Sequence, residues 1–260
     1  MGGRHASRHS IHEQAWHYLL GLGPDVAFVQ EGLPPSWIRG IGTVVHGPFK
    51  RTGSAIFSPR FPLERVTPPE GNPILSMGAY VAMAHLALPD GTEALVASVH
   101  AVARKANERH LPDDRLTSLA RSREGTKLND VAVAGLAAMV DDRPFIFAGD
   151  WNVGRIRKEE RDRAAAAVFF ERIAGHEWRD CVWDRTKAEL QTWFRNSESK
   201  DDEGLRQNDH VFCSLDLFDR MAADAWVATD AATALGLSDH APLIVEFDVP
   251  PIGLTNLNLS

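Results

Sequence analysis

The chain has 260 residues, of which 44% are hydrophobic and 24% are charged, as is typical of a soluble globular protein. This composition excludes a collagen-like, coiled-coil or wholly disordered chain. The 28 basic and 35 acidic residues give a net charge of −7, so the protein lacks the overall positive field of a protein that coats nucleic acid. A nuclease is not excluded, because its positive charge can be local or supplied by a metal ion.

The two cysteines, Cys181 and Cys213, are too few for a disulfide framework or a structural zinc site. The first 13 residues are polar and rich in histidine, so they do not resemble a secretory leader. Apolar stretches such as residues 80–88 are shorter than the roughly 20 residues that a membrane helix needs. We therefore expect a cytoplasmic protein with no membrane partner.

The first half of the chain predicts one helix followed by strands. Ser10 followed by Glu13 is a capping-box pattern, which predicts that the helix begins at Ser10 and ends before GLGP at residues 21–24. Residues 25–31 are almost continuously apolar, which predicts a strand buried on both faces. Further strands are predicted at residues 53–58, 78–88 and 92–99, the last two joined by the hairpin signal Asp90-Gly91.

The second half alternates helices and strands. Residues 101–127 are polar and rich in arginine, and a loop of this length in a compact domain is a candidate functional loop. Helices are predicted at residues 128–140 and 159–174, and strands at residues 145–148, 191–194, 210–213, 225–228 and 243–247. Since no linker or internal repeat divides the chain, we expect one mixed α/β domain over residues 1–260.

Polar side chains gather where the predicted strands end. They are Glu31, His100, Asp150 with Asn152, and Asp239 with His240, while Asp209 stands at the start of a fifth strand. A buried apolar strand can hold a charge only at its mouth, where water or a metal compensates the loss of hydration. Several such groups indicate one cleft. Carboxylate oxygens without cysteine suit Mg²⁺ or Mn²⁺.

Four motifs resemble those of the endonuclease/exonuclease/phosphatase superfamily, which includes deoxyribonuclease I, exonuclease III and abasic-site endonucleases. The motifs are DVAFVQE at residues 25–31, SVH at 98–100, GDWN at 149–152 and SDHAP at 238–242, and they stand in the family's order. Each motif alone is a weak signal, but their joint occurrence is specific. The resemblance implies a four-layered α/β sandwich, with two packed sheets flanked by helices, and metal-dependent hydrolysis of a phosphate ester.

The same resemblance assigns roles to the acidic residues. Glu31 is similar to the family's main metal ligand, and Asp239 to a nearby metal-binding or orienting carboxylate. Asp150 and Asn152 resemble the pair that binds the phosphate and activates or positions the attacking water, and Asp150 is also a candidate metal ligand. Phosphoryl transfer needs charge neutralisation, an oriented water and a protonated leaving group rather than a covalent nucleophile.

The resemblance also assigns roles to two histidines. His240 resembles the essential histidine that acts as a base or stabilises the phosphoryl charge, and Asp209 resembles the aspartate that pairs with it. His100 resembles the second histidine of the deoxyribonuclease I branch, which protonates the leaving oxygen; the alternative is a polar pocket histidine. His210, next to Asp209, is expected to pack under the site. An imidazole that titrates near neutrality can donate or accept a proton.

Several basic and aromatic residues have two interpretations. The basic residues after the SVH and GDWN motifs, among them Arg155 and Arg157, form either a solvated surface or a phosphate-binding rim. Trp151 is expected in the core. Trp183 and Trp193 are also predicted to be buried, with base stacking as the alternative.

The sequence departs from the family pattern in two places. No apolar strand ending in Asn precedes the first helix, so we expect the family's first strand to be missing, through a mis-assigned start, and residues 25–31 or a partner strand to have an open edge. Gln207 and Asn208 precede Asp209 where the family often has Arg and an aliphatic residue.

These patterns favour an Mg²⁺-dependent phosphodiesterase, a nuclease acting on nucleic acid without an obligate protein partner. One alternative is a phosphatase or phospholipase-type hydrolase that acts on small phosphorylated metabolites or lipids. The other is an inactive binding protein that lacks the first catalytic Asn.

Overall fold

The computed structural model describes residues 8–47, 53–101, 128–157, 159–194 and 206–250. All but the first residue of the predicted functional loop at residues 101–127 therefore lies outside the described residues, as does Lys158. None of the described helices has the length and hydrophobicity needed to cross a lipid bilayer.

The helices and strands follow one another along the chain largely as the apolar patterns predict. The first part contains α1 (Arg8–Gly21), β1 (Ala27–Val29), β2 (Thr43–His46), β3 (Ala55–Ser58), β4 (Leu63–Arg65), β5 (Val81–Ala87) and β6 (Glu93–His100), with 3₁₀ helices at Ser36–Gly40 and Pro73–Tyr80. The second part contains α2 (Leu128–Ala137), β7 (Phe145–Asp150), α3 (Glu160–Gly175), β8 (Arg179–Asp180), α4 (Trp183–Thr186), β9 (Asp209–Cys213), α5 (Leu215–Phe218), β10 (Trp226–Val227), α6 (Asp230–Thr233) and β11 (Leu243–Ile244).

The described strands form a three-stranded, a six-stranded and a two-stranded sheet. The strand orders are β1-β3-β2, β4-β5-β6-β7-β9-β8 and β10-β11. In the six-stranded sheet β6 and β7 are parallel, whereas the other neighbours are antiparallel. The hairpin predicted at Asp90-Gly91 is confirmed, because the turn joins the antiparallel strands β5 and β6.

Three apolar clusters lie between four layers. The first joins α1 to the outer face of the three-stranded sheet, and includes Trp16, Ala27 and Phe57. The second lies between the two larger sheets, and includes Val45, Ile56, Val96 and Ile146. The third joins the six-stranded sheet to α2 and α3, and includes Val99, Phe147, Leu136 and Phe169. This arrangement confirms the predicted four-layered α/β sandwich.

The start of α1 and the extent of burial of β1 differ from the predictions. The helix does not begin at Ser10, because α1 already includes Arg8, and the Ser10 hydroxyl accepts a hydrogen bond from the Gln14 amide within the helix (3.3 Å). The strand at residues 25–31 packs against an apolar cluster on each face, as predicted, but only Ala27 of β1 is fully buried. Among the described strands β1 pairs with β3 alone, which agrees with the expected open edge.

The strand predicted at residues 191–194 does not form. Trp193 makes a single bridge to His240, and the backbone N–H groups of Thr192 and Trp193 both donate to the carbonyl of Arg206 (3.1 Å each). A strand needs a ladder of successive pairs, and this segment instead connects the chain before β9 to the residues before β11.

Gly149 lies where β6, β7 and the residue after β1 approach one another. A Cβ at this position would collide with the carbonyl oxygen of Val99 and lie 2.8 Å from the side-chain nitrogen of Gln30. The backbone φ of +141° is also one that side-chain-bearing residues rarely adopt. Only glycine therefore fits at this position.

We predict that Gly149→Ala lowers the free energy of unfolding by about 2–6 kcal/mol, the sum of overpacking and backbone strain. Gly175→Ala is the matched control, because Gly175 ends α3 and a Cβ there meets no atom within 4 Å. The control variant should change stability by less than about 1 kcal/mol. Urea unfolding measures both, and a wild-type midpoint for Gly149→Ala would show that a side chain fits at this position.

Candidate active site

His100, Asp150 and Asp209 lie side by side on three neighbouring strands. His100 ends β6 and pairs with Asp150 at the end of β7, and Asp150 pairs with Asp209 at the start of β9. Side chains of paired residues project from the same face of a sheet, and here this is the face of Val96 and Ile146, turned to the three-stranded sheet. The register therefore brings one histidine and two aspartates together at the mouth of the layer between the sheets.

His240 reaches this row from the loop before β11. Its Nδ1 lies 2.8 Å from Oδ2 of Asp209, so the Nδ1–H group donates to this carboxylate and Nε2 is left for another partner. The backbone N–H of His240 donates to the Ser238 hydroxyl (3.0 Å). Ligand atoms of Asp150, Asp209 and His240 all lie within 4.8 Å of one another. The predicted pairing of Asp209 with His240 is present in the structure.

Asn152 holds the carboxylate of Asp150 with two hydrogen bonds. The Asn152 backbone N–H donates to Oδ1 (2.9 Å) and its side-chain amide donates to Oδ2 (2.7 Å). Asn152 has a φ of +51°, a left-handed conformation that costs free energy unless the surroundings hold it. The GDWN motif thus forms a tight turn that fixes the orientation of the Asp150 carboxylate.

Glu31 joins the site from the other sheet. Its Oε1 lies 3.3 Å from Nε2 of His100, and Oδ2 of Asp150 lies 3.6 Å from the same nitrogen. Glu31 also has a left-handed φ of +58°, and its side chain is 73% exposed. The carboxylates of Glu31 and Asp150 thus both lie close to one imidazole nitrogen.

Sequence reasoning assigned no role to Gln30 and Ser98, although both belong to the matched motifs. The Gln30 amide donates to the Ser98 hydroxyl (2.8 Å), which donates to the carbonyl of Val29 (3.1 Å). These bonds tie the end of β1 to β6 and so set the position of Glu31 relative to His100. The available signal was that each residue lies one or two positions from a predicted site residue.

Asp239 is exposed and lies at the border of the site. Its backbone carbonyl accepts a hydrogen bond from the N–H of Phe194 (2.8 Å), and the charge of its carboxylate acts on His240. Among the described residues, no hydrogen bond or ion pair joins this carboxylate to the other site residues. Its role as a metal ligand therefore stays a prediction.

Burial and mutual repulsion shift the pKa values of the site. Burial, followed by the charge of Asp209, raises the pKa of Asp150 to about 7. Burial opposes the charged form of His240, but the hydrogen bond and charge of Asp209 outweigh it and raise the pKa of His240 to about 9. Burial lowers the pKa of His100. At neutral pH the metal-free site therefore holds a protonated His240 and a neutral His100.

The donor set fits a hard divalent cation. Glu31 and Asp150 supply carboxylate oxygens, and a cation bound to Asp150 would favour its charged form, which burial and the charge of Asp209 disfavour. Neither described cysteine is near these residues, since Cys181 and Cys213 are buried in the cluster between the sheets. The chemistry of these residues therefore agrees with the predicted Mg²⁺ or Mn²⁺.

His210, Asp180 and Arg155 form a buried polar network next to the candidate site. His210 is buried, as predicted, with Nε2 at 2.8 Å from the carbonyl of Val153 and Nδ1 at 3.4 Å from the carboxylate of Asp180. Arg155 turns inward to the same carboxylate (3.3 Å), and its guanidinium lies 3.6 Å from the ring centre of Phe170. Arg155 therefore packs within the fold, which corresponds to neither of the two alternatives for it, a solvated surface or a phosphate-binding rim.

Two of the three tryptophans with a predicted position are less buried than expected. Trp151 is fully buried, which confirms its place in the core. Trp183 and Trp193 are only half-buried, so their predicted burial is wrong. Each ring lies beside a guanidinium, that of Arg155 for Trp183 and that of Arg206 for Trp193, in a cation–π arrangement.

Comparison with known proteins shows that this fold occurs in other solved structures. No protein-family model matches the chain, and no curated protein matches it. An AP endonuclease from Archaeoglobus fulgidus is 20% identical over 93% of this chain and 95% of that chain, with a TM-score of 0.65. The 3′–5′ exonuclease NExo from Neisseria meningitidis is 18% identical over 92% of this chain and 95% of that chain, with a TM-score of 0.69.

A further solved structure, the 3′ phosphatase NExo from Neisseria bound to a product DNA hairpin, is 18% identical over 91% of this chain and 93% of that chain, with a TM-score of 0.69. The protein therefore has the fold of the endonuclease/exonuclease/phosphatase superfamily, which confirms the resemblance seen in the four motifs at the level of the fold.

We predict that His240 titrates with a pKa near 9 in the metal-free protein. Because the pKa of His240 is raised in the folded protein, protonation of His240 stabilises the fold. This stabilisation is complete below about pH 6.5, the ordinary pKa of histidine, and is lost as the pH rises through about 9. Asp209→Asn should return the pKa of His240 toward or below its ordinary value, since the charged acceptor is lost. NMR titration of the imidazole signals measures this, and an unchanged pKa would contradict the assigned pair.

Proposed function

We propose that the protein is a divalent-metal-dependent phosphodiesterase that hydrolyses nucleic acid. The observation that carries this proposal is the row of His100, Asp150 and Asp209, completed by His240 on Asp209 and by Glu31 from the opposite sheet. Proteins of the same fold include an AP endonuclease, a 3′–5′ exonuclease and a 3′ phosphatase bound to product DNA, which supports nucleic acid as the substrate class.

Glu31 and Asp150, with Asp239 at the border, would hold the cation. When bound, Mg²⁺ or Mn²⁺ would neutralise charge on the phosphate and promote ionisation of a nearby water. The exposed Glu31 carboxylate can reach a ligand at the site's mouth, whereas the Asp150 carboxylate is kept in one orientation by Asn152. A fixed ligand together with an accessible one suits a cation that must also contact a substrate.

The chain's own residues divide the remaining chemistry. Asp150, whose carboxylate Asn152 holds in one orientation, would position the attacking water and accept a proton from it. His240 is protonated at neutral pH, and its Nε2–H would donate to a phosphate oxygen as negative charge develops. Of the two roles open to His240, the raised pKa thus favours charge stabilisation over proton abstraction.

His100 would pass a proton from Nε2 to the leaving oxygen, which requires its charged imidazolium form, because a neutral imidazole is far too weak an acid. Burial lowers its pKa, while the negative charge of Glu31, 3.3 Å away, acts in the opposite direction. Uptake of a proton by His100 next to Glu31 would therefore precede each protonation of the leaving oxygen. This role depends on the basicity of the leaving oxygen, which makes it testable.

A second candidate is a phosphatase that removes a terminal phosphate from DNA. The NExo structure with product DNA is described as a 3′ phosphatase, and a cluster that binds one phosphate serves monoesters as well as diesters. Release of free phosphate from 3′-phosphorylated DNA without cleavage inside the strand would favour this candidate. Metal binding without turnover of either substrate would favour an inactive binding protein.

We predict that Glu31→Gln reduces Mg²⁺-dependent DNA hydrolysis roughly 10²-fold or more, the scale for losing one charge-stabilising group. Glu177→Gln is the matched control, because Glu177 is also exposed and has the same φ of +58° but lies just after α3. Release of acid-soluble nucleotides measures the activity. Wild-type hydrolysis by Glu31→Gln would remove Glu31 from the site.

We predict that His100→Ala loses about 10²-fold in rate on DNA, the scale for a general acid. The loss should be much smaller on a nitrophenyl phosphodiester, because this leaving group needs no proton. His85→Ala serves as the control, since His85 pairs with Leu95 toward the far end of the β5–β6 ladder. An equal loss on both substrates would rule out the leaving-group role.

A further inference from the structure

Arg157 is held beside the residue that precedes Asp209. Its guanidinium donates to Oδ1 of Asn208 (3.0 Å). Asn208 is itself fixed, because its backbone N–H donates to the Thr192 hydroxyl (3.1 Å) and its carbonyl accepts from the N–H of Trp151 (2.9 Å). Arg157 therefore lies at the border of the site, next to the strand start that carries Asp209.

The loop that carries Arg157 is ordered by hydrogen bonds that need no ligand. The carboxylate of Glu189 accepts from the backbone N–H of Arg155 and from that of Ile156 (3.0 Å). Upstream, the imidazole of His210 bonds the carbonyl of Val153 (2.8 Å). A group that is fixed before its ligand arrives loses little entropy on binding, so Arg157 is pre-organised.

Arg206 also lies near the site, through its contact with Trp193. Its guanidinium lies 4.9 Å from the ring centre of Trp193, and Trp193 forms an antiparallel bridge with His240. Bridged residues project from the same face, so the Trp193 ring and its cation lie next to His240. The two arginines are close enough for the charge of Arg206 to act on Arg157.

The guanidinium of Arg157 makes no ion pair with a carboxylate of the described residues. The charges of Glu189 and Asp162 act on it without direct contact, and both oxygens of Glu189 already accept backbone hydrogen bonds. Arg157 is half-buried and faces a second cation. Partial loss of hydration and a like charge both disfavour a cation unless an anion binds to it.

We propose that Arg157 and Arg206 bind a phosphate of the nucleic acid strand next to the phosphate that is hydrolysed; this inference rests on the proposed function. The planar guanidinium group matches the oxygens of a phosphate with paired hydrogen bonds. A polynucleotide offers a second phosphate next to the reacting one, whereas a simple diester or monoester does not. The pair would thus select polynucleotides over small phosphate esters.

The test is the salt dependence of DNA binding by the full chain in EDTA, without hydrolysis. The probe is a short fluorescein-labelled single-stranded oligonucleotide, and anisotropy gives the binding constant. Arg157→Gln and Arg206→Gln should each reduce the slope of log K against log salt, by up to about 0.7, the value for complete loss of one phosphate contact on a single strand. Arg157→Lys should keep the slope and bind more weakly, because the charge remains without the planar group.

Arg60→Gln is the control for a general loss of positive charge, since Arg60 pairs with Asp25 at the opposite end of β1 from Glu31 (2.8 Å). Unchanged slopes in both glutamine variants, with wild-type unfolding midpoints, would overturn the proposal, as would an equal effect of Arg60→Gln. If Arg157→Gln does not fold, Arg206→Gln and Arg157→Lys decide. If the wild-type protein hydrolyses DNA with Mg²⁺ but the variants leave the slope unchanged, the subsite is rejected and the proposed function stands. If the variants reduce the slope but the wild-type protein does not hydrolyse DNA, the phosphate contact stands and the proposed function is rejected.

Discussion

The pairing register of β6, β7 and β9 is the constraint on which the candidate site depends, because it sets His100, Asp150 and Asp209 in one row. A slip of one residue in any of these strands would turn its site residue to the other face of the sheet. Apolar side chains hold the register from both faces, with Phe147 packed toward α2 and α3 and Ile146 toward the second sheet. Each fully buried side chain of this size contributes about 1.5–3 kcal/mol, so the core maintains the site's geometry.

The site itself opposes stability. Asp150 is buried next to Asp209, and burial and the charge of its neighbour raise its pKa to about 7. Two hydrogen bonds from Asn152 and the nearby imidazolium of His240 compensate part of this cost. Glu31 and Asn152 also have left-handed backbones. Such local departures from the most stable arrangement are typical of functional sites, where the surrounding fold holds them.

Connections between the layers decide which polar residues reach the site. Gln30 and Ser98 link the two sheets and thereby bring Glu31 toward His100. In the loop after β7, Arg155 turns inward to Asp180 while Arg157 stays at the border beside Asn208. The site is thus an acidic centre with a cationic border, although the protein as a whole has a net charge of −7.

The sequence by itself determined the class of fold, most of the strands and helices, and the polar strand ends that the structure brings together at the candidate site. Apolar runs and the Asp90-Gly91 turn act over a few neighbouring residues, so they can be read locally. Only the tertiary structure decided that residues 191–194 form one bridge instead of a strand, and that Arg155 and Arg157 contact different partners. These outcomes depend on contacts between residues far apart in the chain, which local patterns do not encode.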